Sequence, residues 1–218
     1  MAQTSTKVIG VTGGTGCGQT TVANLFGELG AKVIHADEIG HRILENDPSV
    51  RKELVAAFGK SILNRDGSIN RKQLGELVFK DQTKLHKLNA IVHPRMIAEV
   101  VEEMEEARQS GKYPLIVIDA ALIYELSLEH MFDAIVVVTS RLKDRIRRLR
   151  DRDGLSEREI MKRIQSQIPV QEKTRWADYV IRNNGTLEDL RHHVEGVYRK
   201  ILGIGKPTRR RRSVSSKN

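Results

Sequence analysis

Cysteine is all but missing from this chain of 218 residues: Cys17 stands alone, which excludes an internal disulfide and any Cys-rich zinc site. Long apolar runs are missing too. The longest, residues 134–138, is strand-sized and well short of the roughly 18 residues that a membrane span needs. Residues 1–7 are polar and hold no apolar segment of the kind a secretory signal requires. No internal repeat is visible. What is present is ordinary: a hydrophobic share of 39% with 17 glycines lies near globular usage and excludes wholesale disorder. The length suits one domain, or one domain carrying a sub-domain, with chain enough for a real core. The expectation is a soluble, cytoplasmic protein with no membrane partner.

Acidic residues are absent from one stretch. Residues 206–218 hold Lys206, Arg209, Arg210, Arg211, Arg212 and Lys217 and no acid, so six of the net +9 sit in this tail and +3 is left for the rest. The whole-chain charge is therefore no argument for a nucleic-acid-binding fold. With Gly205, Pro207 and three serines, the tail has almost nothing to bury and reads as disordered. It suits a solubilising appendage, with weak attraction to polyanions such as RNA as the alternative. Nucleic acid is otherwise not expected as a partner, and nothing in the sequence sets an oligomeric state.

Short apolar runs alternate with helical periodicity. Residues 7–12 read as a strand that breaks into glycine-rich sequence, and 20–29 as the helix after it. A second strand is predicted at 32–35, then a helix over 37–45 with Asp37 as its N-cap. From 48 to 107 the pattern is helical at 48–58, 70–79, 83–91 and 94–108, broken by the turn Asn64-Arg65-Asp66-Gly67. Pro94 suits the first turn of its helix, where a missing N–H costs nothing. Residues 115–119 (L-I-V-I-D) and 134–139 (A-I-V-V-V-T) are continuous apolar runs, as in strands buried on both faces. Basic helices are predicted at 142–152 and 156–167, joined at Gly154, then a strand at 179–181 and a last helix at 187–202. Trp176 reads as packing. The alternation specifies an α/β doubly wound sheet of five parallel strands, with helical insertions after the second and fourth.

The chemistry is concentrated in Gly13-Gly14-Thr15-Gly16-Cys17-Gly18-Gln19-Thr20, between the first strand and the first helix. This run fits the phosphate-loop template G-x-x-x-x-G-K-[ST] except at the lysine, which is Gln19. Glycines let backbone N–H groups turn inward around a phosphate. The helix start adds unpaired N–H donors and a positive dipole end. The Thr20 hydroxyl suits a magnesium ion that bridges two phosphates. Gln19 donates a hydrogen bond but carries no charge, and losing one such contact costs about 3–4 kcal/mol of transition-state stabilisation. Binding is expected to suffer less than catalysis.

Several further blocks resemble the dephospho-coenzyme A kinase family over about residues 7–202. Thr12-Gly13-Gly14 with Gly16-Cys17-Gly18-Gln19-Thr20-Thr21 is similar to its T-G-G-x-G-x-G-K-S-T, apart from the lysine and a Thr for the Ser. Val33-Ile34-His35-Ala36-Asp37 resembles V-I-D-A-D, with His35 for the first Asp. Leu88-Asn89 with His93-Pro94 is close to L-N-x-x-x-H-P, and Asp119 through Leu122 to Glu125 to D-x-P-L-L-F-E, with Ala121 for the proline. Arg148-Leu149 with Arg152-Asp153-Gly154-Leu155-Ser156 fits R-L-x-x-R-D-G-L-S, followed by Gln167 and Lys173. Ala177-Asp178-Tyr179-Val180-Ile181 with Asn183 and Gly185 fits A-D-x-V-I-x-N-x-G.

The resemblance implies a P-loop NTPase-type three-layer sandwich that phosphorylates the 3′-hydroxyl of dephospho-coenzyme A, using ATP and magnesium (Mg2+). It implies a single domain over 1–205: a core (about 7–47, 109–140 and 176–205), a helical acceptor-binding region (about 48–108) and a helical lid (about 141–175). Asp37 is expected to take or orient the acceptor proton, and Arg148 and Arg152 to clamp the phosphates. Arg145, Arg147 and Arg150 read as a solvated basic face. Gly14, Gly16, Cys17, Gly18, Gln19, Thr20 and Thr21 are expected around the nucleotide, with Asn183 and Gly185 near its base. Thr20 and Asp119 are the expected metal ligands. His93 and Leu122 are assigned to the acceptor pocket, although a lone His entering a helix is more often structural. Cys17, at a helix N-terminus, is a small residue whose thiol pKa the dipole is expected to lower. The alternative is a non-catalytic nucleotide-binding protein on the same scaffold, favoured by Gln19 and opposed by the retained Asp37, Asp119, Arg148 and Arg152.

Overall fold

A computed structural model describes residues 6–78 and 81–204. The first five residues and the basic tail at 206–218 lie outside the described residues. The apolar runs form β1 (Lys7–Gly13), β2 (Lys32–His35), β3 (Leu115–Asp119), β4 (Ala134–Thr139) and β5 (Tyr179–Arg182). Every pairing is parallel, in the order β2-β3-β1-β4-β5. β1 is central, and its residues alternate between two cores, as the period of two requires. Ile9 and Val11 join Phe26, Val136 and Val194 on one face; Val8 joins Ile34, Ile39, Ile116 and Met104 on the other. The result is the expected three-layer sandwich. β1 has β3 on one side and β4 on the other, so a crevice opens where its carboxyl end meets the following loop.

The helices are α1 (Gln19–Glu28), α2 (Ala36–Asn46), α3 (Pro48–Phe58), α4 (Arg71–Val78), α5 (Gln82–Gln109), α6 (Leu142–Asp153), α7 (Glu157–Gln165), α8 (Val170–Trp176) and α9 (Leu187–Leu202). Among the described residues, none is long and apolar enough to cross a membrane.

Three expectations are corrected. The helices predicted at 83–91 and 94–108 are one helix of 28 residues with Pro94 inside it. An interior proline normally costs about 3 kcal/mol. Here Val92, Val100, Met104 and Ala107 keep the helix buried on both sides of the proline, and Arg95 Nη1 donates back to the Ile91 carbonyl at 2.7 Å. Secondly, α2 begins one residue early: its N-cap is His35, and Asp37 lies in the first turn without capping it. Thirdly, α8 was not anticipated, and Trp176 at its end is exposed, with an edge-on contact to Tyr124.

Candidate active site

Gly16 and Gly18 adopt left-handed backbone, with φ of 80° and 86°, and Gly18 caps α1 without a side chain. A Cβ on Gly18 would collide with the Asn183 amide. Among the described residues, the N–H groups of Gly16, Gly18, Gln19, Thr20 and Thr21 have no hydrogen-bond partner. The first turn of α1 holds no acid to cancel its dipole. These donors form a cradle for an anion.

The carbonyls of the loop point the other way and are held from behind. Arg145 Nε donates to the Thr15 carbonyl at 2.8 Å, and Asn183 Nδ2 to that of Cys17 at 2.9 Å. Arg148 reaches the Gly16 carbonyl at 3.4 Å and the Asn183 carbonyl at 3.0 Å. Gln167 Oε1 accepts from both the N–H and the hydroxyl of Thr15, at 3.0 and 2.8 Å. Lys173, wholly buried, pairs with Glu125 at 2.8 Å and donates to the carbonyls of Gly13 (3.4 Å) and Ala121 (3.0 Å). Burial pushes its pKa below lysine's ordinary value, against the pull of Glu125. Cys17 is buried inside this frame. Its thiol pKa is raised by that burial, although Arg145 and Arg148 oppose the shift, so the lowered value expected from the helix dipole is corrected.

At the carboxyl ends of β2 and β3 the carboxylates gather. Asp119 ends β3, is 5% exposed, and lies directly opposite His35 in the ladder. Its Oδ1 accepts from Gln19 Nε2 at 2.5 Å and its Oδ2 meets His35 Nδ1 at 2.9 Å. Asp37 opens to solvent on one side. The protein packed behind its carboxyl raises its pKa, as does the charge of Asp119, while His41 and His35 pull it down.

The structure thus brings Gly14, Gly16, Cys17, Gly18, Gln19, Thr20 and Thr21 together with Asp119, Asp37, Arg148 and Asn183. Asn183 is buried behind the loop, and Gly185 precedes α9, whose Thr186–Asp189 capping box its missing side chain leaves room for. Arg152 turns outward: its side chain is 71% exposed and pairs with Asp153. His93 is half-buried in mid-α5, its pKa lowered by burial, and Leu122 is half-buried in the turn after β3. Sequence reasoning placed Arg145 on a solvated face, yet it is buried against the loop. Its position three residues before Arg148, on the same helix face, was the available signal. The brace of Lys173 and Glu125 was missed, as was the bond between Gln167 and Thr15.

Over residues 7–189 the chain matches the family model described as dephospho-CoA kinase. It is 42% identical to the dephospho-CoA kinase of Dehalococcoides mccartyi over 198 residues, covering 91% of this chain and 99% of that protein. Identity to the dephospho-CoA kinase of Listeria monocytogenes is 39% over 188 residues, 86% of this chain and 94% of the relative. Among solved structures, TT1252 from Thermus thermophilus superposes with a TM-score of 0.76 at 31% identity, over 90% of this chain and 98% of its own. The dephospho-CoA kinase from Campylobacter jejuni gives 0.66 at 28% identity, over 90% and 97%. Shikimate kinase from Acinetobacter baumannii, at 14% identity and 0.54, shares the fold alone.

Proposed function

The chain belongs to the dephospho-CoA kinase family, and on that premise we propose that this site transfers the terminal phosphoryl group of ATP to the 3′-hydroxyl of dephospho-CoA. The reading rests above all on the unpartnered amides of Gly16 and of Gly18 through Thr21, at the head of an acid-free helix turn and beside two carboxylates. Those amides bind the phosphates of the nucleotide, and the bonds behind the loop keep them aimed forward, so little reorganisation accompanies transfer. Asp37 accepts or orients the acceptor proton. Its raised pKa suits a base better than an ordinary aspartate would, because the bound proton is held more tightly.

Magnesium fits the donors present. Among the described residues no cluster of three His, Cys, Asp or Glu could cage a metal, whereas magnesium needs only one or two protein oxygens besides phosphate. Thr20 and Asp119 would hold it, and when bound it supplies charge neutralisation on the phosphates. Arg148, already against the loop, adds positive charge there. Arg152 serves as a clamp only if the lid, the segment from α6 to α8, carries it inward. His93 and Leu122 shape the acceptor pocket, and Gly185 with Asn183 borders the nucleotide base.

The neutral Gln19 is the weak point of this machinery. A coupled ADP-release assay with dephospho-CoA tests the reading on the chain as it stands and on Gln19→Lys. Acceptor-dependent turnover is expected from both, faster in the lysine variant by about tenfold or more. Turnover confined to the variant, or nucleotide binding without turnover in either, would overturn it in favour of a non-catalytic binder.

A further inference from the structure

Gln19 stands where a phosphate loop normally has its lysine. Its amide does not hang free: it meets one oxygen of Asp119, while His35 meets the other. A carboxylate only accepts, so both neighbours donate, Gln19 through Nε2 and His35 through the Nδ1–H tautomer. The three groups come from three different places, the start of α1, the end of β2 and the end of β3. None of these bonds follows from local sequence.

We propose that His35 is a positioning residue for phosphoryl transfer, gripping Asp119 together with Gln19 as one unit. The inference deepens the reading given above and rests on it, since Asp119 must lie beside the nucleotide phosphates. A lysine would hold Asp119 by charge, over a range of distances and angles. An amide–carboxylate hydrogen bond is directional and weakens steeply once misaligned. The Gln19 amide therefore orients Asp119 only if the carboxylate is already fixed, and the His35 imidazole fixes it. Asp119 is almost fully buried, so losing one donor leaves a buried oxygen unsatisfied and free to turn toward other partners. The ladder register explains why His35 reaches it: the two residues are paired across β2 and β3, so their side chains leave the sheet side by side. Asp37, two residues past His35, lies within the field of Asp119, so a turned Asp119 is felt there as well.

The test uses the full chain, with steady-state kinetics, Mg·ATP calorimetry and thermal melts run on each variant. His35→Ala is expected to lower kcat tenfold to hundredfold, the usual cost of removing an outer partner of a functional carboxylate, roughly. KM for Mg·ATP should move by less than about threefold, separating a positioning loss from a binding loss. His35→Asn, which keeps an N–H near the position of Nδ1, should restore most of kcat. Combining His35→Ala with Gln19→Met should cost little more than the worse single change, because either one already breaks the unit. Unchanged kcat in His35→Ala, no rescue by Asn, or losses that multiply in the double variant would each overturn the proposal. If His35→Ala melts early, His35→Asn against His35→Leu decides: full activity in both overturns it, activity in Asn alone upholds it. Asp119→Ala separates the two levels. An active Asp119→Ala refutes the reading of the site itself, whereas an inactive one beside a fully active His35→Ala refutes this inference alone.

Discussion

Asp37 holds its proton more tightly than an ordinary aspartate because protein crowds its carboxyl and Asp119 repels its charge. Two consequences follow with opposite signs. As the proposed base it works only when ionised, so kcat/KM should fall as pH drops through its raised pKa. That acid limb should lie above the usual carboxylate range and vanish in Asp37→Asn, along with about 10²–10⁴ of turnover. For stability, the folded state binds this proton where the unfolded state has released it, so folding weakens as pH rises through the same window. Asp37→Asn should accordingly melt higher than the parent above that pKa while being nearly inactive. A pH–rate profile and melts at two pH values check both. At this scale the glycine loop was legible in the sequence, because only glycine gives the left-handed turns and open space it needs. The arginines were not. Five lie between 145 and 152 with identical charge. Which ones turn inward depends on carbonyls about 130 residues away, so Arg145 was misjudged and Arg152 lies outside.

The elements carry the next lesson. Buried parallel strands announce themselves as unbroken apolar runs, as β3 and β4 do, and the short runs of β1, β2 and β5 were readable beside them. The course of α5 through Pro94 was not, because tertiary burial overrode a local helix breaker. Pro94 is exposed, so Pro94→Ala should restore a backbone bond without disturbing the core and stabilise the fold by about 1–3 kcal/mol. Urea unfolding measures it directly. If His93 shapes the acceptor pocket, the same change should raise KM for dephospho-CoA and leave that for ATP alone. α8 was invisible for another reason. It is a single short helix whose buried lysine matters through a carboxylate 48 residues earlier. Lys173→Met should cost about 3 kcal/mol, toward the low end for breaking a buried pair since Glu125 is partly exposed. Much of that loss should return in Lys173→Met combined with Glu125→Leu.

For the whole molecule, charge divides in two. Deleting 206–218 takes the formal net charge from +9 to +3. Retention on heparin, and the salt dependence of that retention, should fall, while kcat and the melting temperature stay as they were. A fall in kcat would instead give the tail a part in the reaction. The sheet order places the glycine loop at the one point where neighbouring strands lead away in opposite directions. That the chain is α/β was legible from the alternation of elements, and the same alternation pointed to this edge for the candidate site.

The loop is tethered by Arg145, Lys173 and Asn183 at its carbonyls and by Gln167 at the Thr15 N–H, at separations of 130 to 166 residues. A nascent chain halted before residue 140 would display the complete glycine motif with nothing yet behind it to set its shape. If the loop binds nucleotide as proposed, that binding should require the chain through Asn183. Under the proposed function, Mg·ATP would then add resistance to unfolding to completed chains and leave truncated products unprotected before the proteases.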